Sequence, residues 1–71
     1  MSQFDPRVVY VMRNALEDVM TNLPLEYSTS TVKIYLAEYI LKAAAQGQTS
    51  HGEFVAAANS HIQEVIKLLF A

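Results

Sequence analysis

The chain offers two histidines, seven acids and no cysteine as groups able to move a proton or hold a metal. His61 precedes Glu64 by three residues, a spacing that places both on one side of a helix. An imidazole beside a carboxylate can act as an acid–base couple or as two ligands of one ion. A zinc site needs three or four protein ligands, however, and no second cluster in the sequence supplies the remainder. A structural histidine, half-buried at the edge of an apolar stripe near Phe54, Val65 and Leu68, accounts for His61 far better. His51 falls at a helix start, where a place in the capping region suffices.

Other chemistries find less support. Glu17-Asp18 is the one adjacent pair of acids, and neighbouring positions on a helix diverge by about 100°. A nucleophilic serine or threonine would need a base within reach, yet these residues cluster where helices begin. The only glycines, Gly47 and Gly52, form no phosphate-cradling loop. Cysteine is absent, which removes thiolate chemistry and disulfides. No Asp-Ser-Leu stretch presents a serine for a carrier group. The expectation is a non-enzymatic protein with no catalytic residue, no cofactor and no metal ligand.

The elements that must position these residues are helical. Asp5-Pro6 reads as a helix start, an acceptor at the cap followed by a proline whose missing N–H costs nothing there. Val8, Met12, Ala15, Leu16, Val19 and Leu23 then fall on one face, with Val9, Val11 and Met20 beside it. Pro24 disfavours helix in the residue before it, so the first helix spans residues 6–22. Ser28, Thr29 and Ser30 can all cap a second helix over residues 31–46, closed by Gly47 in a left-handed conformation. Ser50-His51-Gly52-Glu53 is a capping box opening a third helix over residues 51–70. Its stripe is Phe54, Val55, Ala58, Ile62, Val65, Ile66 and Leu69. The short Gly47–Ser50 turn makes an αα-hairpin of helices two and three. Alanines on either side of that turn would let the two backbones approach. The predicted fold is all-α, a compact three-helix bundle in one small domain over residues 1–71.

Helix two, the glycine-containing turn and helix three resemble a helix-turn-helix, with Ala43 and Gly47 at the Ala-x-x-x-Gly spacing of that motif. The pattern departs at Gln48 and at Glu53, where apolar residues are usual. The third helix also carries no Lys or Arg before Lys67, and phosphate contacts demand cations. A DNA-binding regulator would have to assemble Arg7, Arg13 and Lys33 across a dimer. A metal- or small-molecule-binding protein would need His61 beside its own copy across a symmetry axis.

Composition points instead to protein contacts. The chain of 71 residues is 52% hydrophobic and 17% charged, with a net charge of −2, which argues against attraction to phosphate or anionic membranes. No uncharged apolar run reaches the ~18–20 residues of a membrane span. Val32–Ala45 is interrupted by Lys33, Glu38 and Lys42. The start, MSQFDPRVVY, lacks a leader pattern, and a cytoplasmic location is expected.

Helix two is apolar over roughly two-thirds of its circumference, against the ~100° stripe an ordinary surface helix shows. Only its Tyr35, Glu38, Lys42 and Gln46 side is plainly wet, with Glu38 four residues before Lys42 in the favourable ion-pair order. The excess apolar surface marks a partner face, and a symmetric homodimer is the commonest arrangement. Ile34, Tyr35, Leu41 and Ala45, then Tyr10 and Phe70, are the candidate interface residues. The expected protein is a small helical interaction or regulatory module that self-associates.

Overall fold

A computed structural model describes residues 5–71. The reading of the amino-terminal stretch as leaderless rests partly on Met1 to Phe4, which lie outside the described residues. The described residues are all-α, in four helices where three were expected: α1 (Pro6–Asn22), α2 (Ser30–Ala45), α3 (His51–Asn59) and α4 (Ile62–Phe70).

Helix α1 begins as its sequence dictates. The Asp5 carboxylate accepts a 2.7 Å hydrogen bond from the Arg7 backbone N–H, and Pro6 fills the first helical position. Leu23 turns to an extended conformation ahead of Pro24 and ends the helix. A single 3-10 turn, Leu25–Tyr27, leads to α2. The cap of α2 is Thr29, whose hydroxyl accepts from the Val32 N–H at 3.2 Å.

At the far end of α2 the chain closes in a Schellman motif. The Gly47 N–H donates to the Ala44 carbonyl at 3.0 Å and the Gln48 N–H to the Ala43 carbonyl at 3.1 Å. Gly47 holds a φ of +99° to permit this. Three residues later the capping box forms in full: Ser50 Oγ accepts from the Glu53 N–H, and Glu53 Oε1 accepts from the Ser50 N–H, both at 3.2 Å.

The expected third helix does not run unbroken to residue 70. Ser60 Oγ donates to the Ala56 carbonyl at 2.8 Å, a back-bond that bends helices. His61 then leaves helical geometry at φ −118°, ψ 1°, and its carbonyl starts the ladder of α4. Asn59, Ser60 and His61 are all weaker helix formers than alanine. The interruption lets two short helices pack on different neighbours where one long helix would have to choose.

Helix α3 packs on both α1 and α2, while α4 packs chiefly on α2. Directions follow from which residues meet. Glu17 near the end of α1 pairs with Lys33 near the start of α2, and Val9 and Leu41 line one groove, so α1 and α2 run antiparallel. Tyr39 meets His61 and Glu64 at the start of α4. Tyr27, just ahead of α2, meets Phe70 at its end. Helix α4 therefore returns along α2, so the expected hairpin partner of α2 is divided between α3 and α4.

Phe54, Leu36, Ile40, Val32 and Val65 are the largest fully buried side chains, joined in the core by Met12, Ala15, Val19, Met20, Ala43 and Ala58. Burying a Val, Leu, Ile or Phe side chain contributes about 1.5–3 kcal/mol. Ala58 and Ala43 are both buried and Ala44 and Ala57 half-buried, on either side of the tight turn between α2 and α3.

Candidate functional site

On the side of α2 away from α3, the surface is apolar. Leucine and isoleucine are exposed there without a covering element: Ile34 at 63% and Leu41 at 44%. Between α1 and α2 runs a groove of roughly 200 Å³, lined by Val9, Met12, Arg13, Leu16, Ala37, Ile40 and Leu41. Apart from Arg13 every residue in that lining is apolar, and the arginine's alkyl stem can cover apolar surface while its head stays in water.

The α2 helix makes this face by its spacing. Ile34, Ala37, Leu41 and Ala45 recur at three- and four-residue intervals, so they stand in one row. The buried row, Val32, Leu36, Ile40 and Ala43, lies on the opposite side and faces the core. Ala37 is a dip in the exposed row, and Leu41 and Ile34 are its ridge.

Among the six candidate interface residues, Ile34, Leu41 and Ala45 share this row, and Tyr10 is an exposed aromatic on α1. Tyr35 sits elsewhere: it is half-buried and packs against the core. Phe70, although 46% exposed, leans edge-on against Tyr27, with ring centroids 5.1 Å apart, at the end of α4. Val9, Leu16 and Ala37 complete the groove and were not among the expected six. Val9 flanked the α1 stripe and Leu16 lay within it, but the chain's own core leaves both partly uncovered.

The histidines are held in separate places. His51 Nε2 lies 2.6 Å from Asp18 Oδ2, joining the start of α3 to α1. The Asp18 charge stands at the positive end of the α3 dipole, a favourable position. His61 stacks on Tyr39, centroids 3.8 Å apart and planes 7° from parallel, with Nδ1 3.4 Å from Glu64 Oε2. The Tyr39 hydroxyl donates to Glu64 Oε1 at 3.1 Å. That hydrogen bond to the carboxylate raises the Tyr39 pKa above the usual phenol value, with desolvation and the Glu64 and Glu38 charges adding to it.

Lys42 Nζ sits 5.3 Å from the Tyr39 ring centroid, within the range of a cation–π contact. The expected Glu38–Lys42 ion pair is not among the salt bridges of the described residues, which are Arg7–Asp5, Lys33–Glu17, His51–Asp18 and His61–Glu64. No group of three or more His, Cys, Asp or Glu among the described residues is placed to hold a metal ion. The Tyr39–His61–Glu64 contacts thus tie α4 to α2.

The cations that a nucleic-acid reading would assemble are also largely engaged. Arg7 pairs with Asp5 at 3.1 Å and Lys33 with Glu17 at 2.6 Å. No helix of the described residues is long and apolar enough to cross a membrane.

In class, the described residues form an all-α fold of four helices carrying an apolar groove on its α1–α2 face. The chain matches no family model, no curated protein and no solved structure.

Proposed function

We propose that the protein is a non-enzymatic helical interaction module that works by docking a protein surface, and self-associates, through its α1–α2 face. The observation that carries this reading is the row of Ile34, Ala37, Leu41 and Ala45 beside an apolar groove that the chain's own helices leave open. Contiguous apolar surface with a polar rim is how a docking face is built, and grooves between helices receive the apolar side of another helix.

Replacing Leu41 or Ile34 by Glu tests the placement. Both side chains are largely outside the core, so helical circular dichroism and the thermal midpoint should stay close to those of the wild type. Molar mass by light scattering, followed through a dilution series, should fall to that of the monomer. An assembly that persists unchanged in both variants would overturn the placement of the docking face.

A further inference from the structure

We propose that the partner of the α1–α2 face is a second copy of this chain, related by a two-fold axis parallel to the helices. The α2 ridge of each copy lies in the α1–α2 groove of the other, and Arg13 of each meets Glu38 of the other. This rests on the reading of that face as the surface of self-association and adds its symmetry and register.

Two charges set the register. Neither Arg13 nor Glu38 takes part in a salt bridge among the described residues. Each has a counter-charge four residues along its own helix, and in both cases that residue is engaged elsewhere. Glu17 is taken by Lys33 at 2.6 Å, and Lys42 lies over the Tyr39 ring. Among the described residues, a cation and an anion without partners therefore stand on the rims of one apolar surface.

Their heights along the bundle agree. Glu17 pairs with Lys33, and four residues further along each of these antiparallel helices stand Arg13 and Ala37, which line the same groove. Arg13 is therefore level with Ala37, and Glu38 is the next residue. A two-fold axis parallel to the helices preserves height, which brings the second copy's Glu38 to the level of Arg13. Their azimuths agree too. Glu38 lies about 100° around the helix from Ala37, on the side of the ridge turned away from its own α1. When α2 seats in the groove of the other copy, that is the side that meets the other α1.

The steric fit is reciprocal, as an isologous contact requires. Ile34 and Leu41 supply the ridge, Val9, Met12 and Leu16 the receiving wall, and Ala37 and Ala45 the room for the two α2 helices to approach. The remaining charges nearest this face, Glu17 and Lys33, neutralise each other within each chain. A foreign helix could use the groove, but it would have to bring its own acid to the level of Arg13. The chain already carries one there.

Charge reversal in solution tests the arrangement. Arg13→Glu and Glu38→Arg should each weaken dimerisation by at least about tenfold, because each sets two pairs of like charges face to face across the axis. Mixed in equal amounts, the two variants should restore the dimer. The carboxylate introduced at position 13 then faces the guanidinium introduced at position 38, and the native Arg13 and Glu38 meet at the second contact. Sedimentation equilibrium on each variant and on the mixture reads this directly. A dimer lost in Leu41→Glu but indifferent to both reversals would overturn the register while leaving the docking face in place. A wild type that stays monomeric at every concentration would overturn the second copy as occupant. A dimer insensitive to Leu41→Glu and to the reversals alike would remove the face as well.

Discussion

Glu53 caps α3 with both its backbone and its side chain. Its N–H is held by Ser50 Oγ, and its carboxylate accepts the N–H groups of Ser50 and Thr49. The Ser50 hydroxyl first, then those two backbone donors, hold the carboxyl below its usual range. A group whose pKa is lower in the folded chain adds stability above the unfolded value and loses it as the pH falls through the folded one. Between about pH 5 and 3, a Glu53→Gln variant should therefore lose less stability than the wild type, read by urea unfolding at each pH. At neutral pH, Ser50→Ala should cost about 1 kcal/mol in the same measurement. This contact was fully legible in the sequence, because its partners are three residues apart and the motif has one geometry. The His51–Asp18 contact was not, since 33 positions separate its members and only the packing of α3 on α1 brings them together.

Among the elements, what the sequence conveyed depended on whether a signal was local. Helix α1 runs from residue 6 to 22 as its proline and cap require, and α2 begins one residue earlier than expected because Thr29, not Ser30, is the cap. The break between α3 and α4 is hidden in the sequence for a physical reason. Phe54, Ala58, Ile62, Val65 and Leu69 keep helical spacing straight through Ser60 and His61, so the apolar pattern carries no mark of the turn. Only the back-bond of Ser60 and the stacking of His61 on Tyr39 reveal it, and the second needs the tertiary fold. The two glycines permit a test of local backbone logic. A Cβ at Gly47 would meet nothing within 4 Å, so the cost of Gly47→Ala lies in its φ of +99° alone, about 1–2 kcal/mol. Gly52 is equally unobstructed but sits in the first turn of α3, where Gly52→Ala should stabilise by up to about 1 kcal/mol. Opposite shifts of the thermal midpoint in the two variants would bear this out, and shifts of one sign would refute it.

For the molecule as a whole, the over-wide apolar arc of α2 was visible in the sequence, but not how the chain would divide it. Part of that arc packs against α1, α3 and α4, and the row from Ile34 to Ala45 stays open beside α1. Tyr35 shows the limit of the reading: placed by its angle on the wet side of α2, it is half-buried against the core. The joint at Ser60–His61 has a consequence of its own for how the molecule comes apart. Helix α4 has nine residues and rests chiefly on one neighbour, whereas α3 is wedged against two. Regions with fewer buried contacts open at lower free energy than the rest, so α4 should lift off α2 as a unit, turning about His61, before α1, α2 and α3 separate. Native-state hydrogen exchange would show this as a common, lower opening free energy for the amides of residues 65–70, and one value shared by all four helices would rule it out. While α4 is away, the side of α2 that carries Tyr35 and Tyr39 lies bare, and the peptide bonds around Ser60 become the place where a protease would first find the chain.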